Sequence, residues 1–95
     1  MKKVLVIEDD PNIVDLVEIH LTAPGCSVIR AADGMRGLAA AEGASFDLII
    51  LDLMLPYVDG LEVCRRLRMQ QINTPIFISF QSENNSDLWL GLFPS

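Results

Sequence analysis

An α/β fold on an open parallel sheet is what this sequence predicts, and three observations carry that prediction. Val4-Leu5-Val6-Ile7 and Leu48-Ile49-Ile50-Leu51 are apolar throughout rather than alternating, the pattern of strands covered on both faces. Segments of helical period separate the strand-like runs along the chain, so each strand returns parallel to the last through a right-handed crossover, with helices on both faces. Both apolar runs end in acid, Glu8-Asp9-Asp10 and Asp52. In such sheets ligands gather beyond the carboxyl ends of the strands, where the strand order reverses.

The elements follow in order. After the first strand, Pro11 suits the opening turn of a helix because its fixed φ is already helical, with Asp10 as N-cap. Ile13, Val14, Val17 and Leu21 then recur at helical spacing until Pro24-Gly25 stops them. Ser27-Val28-Ile29-Arg30-Ala31 reads as a second strand, Asp33-Gly34 as a turn, and the alanine-rich 35–42 as a second helix closed by Gly43. Residues 47–51 form the third strand. Past a Leu55-Pro56-Tyr57 turn, Asp59-Gly60 opens a third helix with Leu61, Val63, Cys64 and Leu67 inward and Arg65, Arg66 and Arg68 toward water. Asn73-Thr74-Pro75 ends it, and Ile76-Phe77-Ile78 is the fourth strand. Beyond the polar stretch 82–87, Leu88-Trp89-Leu90-Gly91-Leu92-Phe93 fits a short amphipathic helix or a loose apolar tail.

Composition narrows the function classes. Ninety-five residues, 51% of them hydrophobic, suffice for one domain over 1–95 and one core. Seven Lys and Arg against 13 Asp and Glu give a net charge of −6, which argues against a direct grip on nucleic acid. No apolar run approaches the ~20 residues of a membrane span. The basic start Met1-Lys2-Lys3 meets acid at Glu8 before any export core develops, so a cytoplasmic protein is expected. Cys26 and Cys64 lack metal-ligand spacing and read as small apolar residues. His20 reads as a surface or packing residue, and Gly34 and Gly37 do not make a phosphate loop.

The acids are the chemical signal. A solvated, helix-capping turn accounts for Glu8-Asp9-Asp10 alone, but Asp52 stands at the equivalent point of a second buried strand. Three carboxylates about 4 Å apart repel by about 4 kcal/mol per pair at an effective dielectric near 20, so a divalent cation is the natural remedy. An all-oxygen donor set suits a hard ion such as Mg²⁺. A carboxylate can also attack phosphorus to give an acyl phosphate, and Asp52 is the candidate.

Together, Val4-Leu5-Val6-Ile7-Glu8-Asp9-Asp10-Pro11, the run Asp47-Leu48-Ile49-Ile50-Leu51-Asp52-Leu53-Met54-Leu55-Pro56, and Asp59-Gly60 resemble the receiver domain of two-component response regulators. The resemblance covers 2–79 well and 80–95 poorly, and is strongest to receivers that carry a winged-helix DNA-binding domain. It implies a doubly wound, flavodoxin-like sheet of strand order 2-1-3-4. It also implies that Asp52 takes a phosphoryl group from a histidine kinase or phosphotransfer protein. Glu8, Asp9 and Asp52 then hold Mg²⁺ with the Met54 backbone carbonyl, and Ser79 matches the hydroxyl residue that ends the fourth strand. Such a module is not an enzyme toward external substrates, beyond slow hydrolysis of its own aspartyl phosphate.

The resemblance fails toward the C-terminus. A receiver continues into a fifth strand bearing a lysine and a fifth helix, and neither is expected here. The chain reads as truncated. Its only lysines, Lys2 and Lys3, lie at the wrong end of the first strand. The fourth strand is therefore expected to present an open edge, with self-association covering 76–78 and the surface of Trp89, Leu90 and Phe93. A pseudo-receiver that keeps the acidic pocket but serves only interaction, or has no role, is the alternative. A Mg²⁺-dependent phosphatase is weaker, because neither acidic strand end offers D-x-D.

Overall fold

The run after Met1 forms β1 (Lys2–Ile7), flanked in parallel by β2 (Cys26–Ala31) and β3 (Leu48–Asp52), with β4 (Ile76–Gln81) parallel beyond β3. The computed structural model describes residues 2–21, 25–52, 55, 58–81 and 87–93. Among them, the strands follow the expected order 2-1-3-4. The crossovers are α1 (Pro11–His20), α2 (Gly34–Gly43) and α3 (Gly60–Met69).

Alternation along continuously apolar strands divides the core in two. Leu5, Ile7, Ile49, Leu51, Ile76 and Ile78 face α2 and α3, where Leu38, Ala41, Val63, Cys64 and Leu67 close the layer. Val4, Val6 and Ile50 take the opposite face and pack with Val14 of α1, flanked by the half-buried Val17 and Phe77. Each fully buried aliphatic side chain contributes roughly 1.5–3 kcal/mol, which is why strands without a polar face hold the centre.

One device starts all three helices. The carboxylates of Asp10, Asp33 and Asp59 accept the amide N–H groups of Asn12, Arg36 and Glu62 at 2.9, 2.8 and 2.9 Å. Each cap satisfies an N–H the helix itself cannot, worth about 1 kcal/mol. Asp10 therefore caps α1 as expected.

Two expectations are corrected. Leu61 is 53% exposed, because the buried stripe of α3 is Gly60, Val63, Cys64 and Leu67, and residue 61 lies one position off it. On the same helix Arg66 and Arg68 are half-buried, tied to Glu62 and to the Ile72 carbonyl. The second correction concerns the C-terminal segment, which is neither helix nor tail but β5 (Asp87–Phe93), antiparallel to β4. Ile76, Phe77 and Ile78 pair with Phe93, Leu92 and Gly91, and a register shift follows before Ser79 meets Trp89. The edge expected to await a second molecule is thus occupied by the chain's own strand, and self-association through 76–78 loses its premise. Pairing satisfies β4 backbone groups that would otherwise stand open.

Cys26 and Cys64 are free thiols, the latter buried and shifted upward by that burial. Among the described residues no helix is long and apolar enough to cross a membrane.

Candidate functional site

Register brings the acids together. Ile7 pairs with Ala31 on one side and Leu51 on the other, so Glu8 and Asp52 leave the sheet at the same end of adjacent strands. The backbone N–H of Glu8 donates to the Ala31 carbonyl at 3.0 Å, extending the ladder one residue past β1. One oxygen from each of Glu8, Asp9 and Asp52 lies within 4.8 Å of the others. Glu8 and Asp52 are each only 6% exposed, while Asp9 faces water.

Two buried carboxylates this close cannot both carry charge cheaply. Burial, then the charge of Asp52, pushes Glu8 up to about 8, and hydrogen bonds with Asp52 and Asp9 act in the same direction. The Asp10 amide, which donates to Glu8 Oε1 at 3.1 Å, pulls the other way and is outweighed. At neutral pH the protein's own groups therefore leave Glu8 holding a proton. A hard divalent cation fits this donor set, which is all oxygen and gathers three carboxyl groups at one point. Binding one would displace the proton from Glu8.

The other residues singled out from sequence fall as follows. Ser79 is the register partner of Asp52 on β4. The side chain of Ser79 and the whole of Met54 lie outside the described residues, as does the side chain of His20. Lys2 and Lys3 begin β1, at the end of the sheet away from the acids, and Lys3 Nζ stands 5.3 Å from the centre of the Phe46 ring. Sequence reasoning missed the part of β2: nothing in Ala31 marks it as the anchor of the Glu8 amide, and only strand register could reveal it.

Comparison with known proteins agrees with this geometry. The response regulator receiver domain family matches residues 4–89. The alkaline phosphatase synthesis transcriptional regulatory protein PhoP of Bacillus subtilis is 44% identical over 91 residues, covering 96% of this chain and 38% of that protein. The response regulator ArlR of Staphylococcus aureus is 42% identical over 92 residues, covering 97% of this chain and 42% of ArlR. The chain thus spans roughly two fifths of the length of these curated relatives. Among solved structures, the response regulator TrrA of Thermotoga maritima, in complex with Mg²⁺-BeF, is 31% identical with a TM-score of 0.80, covering 88% of this chain and 73% of TrrA.

Proposed function

The chain belongs to the response regulator receiver domain family, and we propose that it is a phospho-accepting signalling module with Asp52 as the acceptor. The observation that carries this reading is the meeting of Glu8, Asp9 and Asp52 within 4.8 Å at the carboxyl ends of two adjacent buried strands. In the step assigned to Asp52, one carboxylate oxygen forms a bond to phosphorus as the donor's phosphorus–nitrogen bond breaks, leaving the donor histidine free. A sensor histidine kinase or a phosphotransfer protein is the partner this chemistry calls for. Glu8, Asp9 and Asp52 would hold Mg²⁺, with the Met54 backbone carbonyl as a further ligand. When bound, that ion neutralises charge on the phosphoryl oxygens. Ser79, beside Asp52 in register, is assigned as hydroxyl donor to the transferred group. The module acts on no external substrate and works in the cytoplasm as one unit over 1–95, releasing its phosphoryl group slowly to water.

One observation favours a second reading. Both lysines of the sequence lie at the far end of β1 from the acids. A pseudo-receiver that keeps the pocket without transfer chemistry fits that arrangement. Intact mass after incubation with a small-molecule phosphodonor and Mg²⁺ separates the two. A single phosphoryl adduct on the parent, absent from Asp52→Asn, is expected. A folded parent that binds Mg²⁺ and takes no adduct would establish the pseudo-receiver.

A further inference from the structure

The junction between β2 and α2 touches both sides of the acidic site. Ala31, the last residue of β2, holds the Glu8 amide through its carbonyl at 3.0 Å. Two residues on, Asp33 caps α2 and so fixes where Gly34 begins the helix. A Cβ on Gly34 would stand 2.8 Å from the Val58 carbonyl oxygen, 2.8 Å from Val63 Cγ2 and 3.2 Å from Val58 Cβ. Val58 lies in the connection from Asp52 to the α3 cap Asp59. One helical turn later, a Cβ on Gly37 would meet Ile7, the residue before Glu8, at 2.4 Å. Bare backbone at the start of α2 is therefore clasped between the strand that delivers Glu8 and the chain that follows Asp52.

We propose that Gly34 is a positioning residue for the acidic site: its lack of a side chain lets α2 close on Val58 and sets the separation of Asp52 from Glu8 and Asp9. The inference rests on the reading of that site as a cation-dependent phospho-acceptor. Backbone cannot swing aside as a side-chain tip can, so a methyl group at residue 34 must move α2 or Val58. Mg²⁺ tolerates little departure from octahedral geometry, so a small shift is enough to weaken it. Gly43, in the last turn of α2, has nothing within 4 Å of an added Cβ and is the matched control.

Calorimetric titration of the parent, Gly34→Ala and Gly43→Ala with Mg²⁺ tests this, with the melting temperature followed alongside. The expected result is a Kd raised about tenfold or more in Gly34→Ala, the scale on which loss of outer-shell support weakens metal binding, and an unchanged Kd in Gly43→Ala. Phosphodonor labelling should slow in the same order. Equal Kd values in Gly34→Ala and the parent would overturn the proposal. So would recovery of affinity on adding Val63→Ala, which would place the effect in α3 packing rather than at Val58. A second arm needs no variant to fold: in the parent, amide resonances of Gly34 and Val58 should move with that of Asp9 during Mg²⁺ titration, along one binding curve. Stationary Gly34 and Val58 signals overturn the positioning role while leaving the site reading intact, whereas a parent that binds no Mg²⁺ overturns both.

Discussion

The two ends of the central strands are built on opposite electrostatic terms. At the amino end, Lys3 and Asp47 exchange backbone and side chain: the Asp47 N–H donates to the Lys3 carbonyl and the Lys3 N–H donates to Asp47 Oδ2, each at 2.8 Å. The Lys2 N–H reaches the Gly25 carbonyl at 2.7 Å, the Lys3 ammonium covers Phe46, and Thr74 Oγ1 donates to the Phe46 carbonyl. A carboxylate meets a backbone N–H there, and the polar groups find partners. At the carboxyl end, three carboxyl groups converge beyond the fully buried Ile7 and Leu51. The core beneath is secure enough to hold them, and the contrast separates a sheet end whose polar groups are partnered from one where carboxyl groups crowd together.

Removing one acid should change the molecule most. Folded Glu8 keeps its proton to about pH 8, whereas the ordinary value it regains on unfolding is 4.5. Between those limits the folded protein binds more protons than the unfolded chain. This contribution to stability is therefore complete below 4.5 and is lost as pH rises through 8. Glu62, held down to about 2 by Arg65 and then Arg66, works in the opposite sense: its contribution is present above 4.5 and lost as pH falls through 2. Denaturant unfolding in EDTA should thus show stability falling from pH 5 to pH 9, and Glu8→Gln should flatten that slope, gaining on the order of 3 kcal/mol at pH 9. A parallel slope in the variant would remove Glu8 as its source.

Ligand linkage comes next in size. Mg²⁺ at a hundredfold its Kd should stabilise the parent by about 2.7 kcal/mol, read as a rise in melting temperature, with much less in Asp52→Asn. Smallest is the amino end, where Asp47→Asn should lower stability by about 1 kcal/mol and leave the Mg²⁺ Kd untouched. If Asp47→Asn moved the Kd as Glu8→Gln does, the two ends would be coupled and the contrast between them would fail.

Much of this was legible in the sequence, for local reasons. Continuous apolar runs gave β1 and β3, and Asp10 and Asp59-Gly60 marked two helix starts because such signals lie in adjacent residues, whereas Asp33-Gly34, read as a turn, is the cap and first residue of α2. Glu8, Asp9 and Asp52 were legible because each follows directly on a run that can only be buried. Contacts between distant segments were not. Leu88 through Phe93 suits a helix or a strand, and what makes it β5 is the neighbouring edge of β4. The proton on Glu8 depends on depth of burial, and the approach of Gly34 to Val58 depends on which loops the crossovers bring together. None of these leaves a local pattern.

The antiparallel pairing of β4 with β5, the single one among the described residues, also orders events in time. Gln81 meets Asp87 only a short way along the chain, whereas Val4 must find Val28 and Leu48 across whole crossovers. Closing a short hairpin takes on the order of microseconds, while distant pairings wait on the closure of long loops. The β4–β5 edge can therefore form early and reopen without disturbing β1 and β3. The acidic site exists only once those two strands lie side by side, so a chain still in the act of folding does not yet carry it.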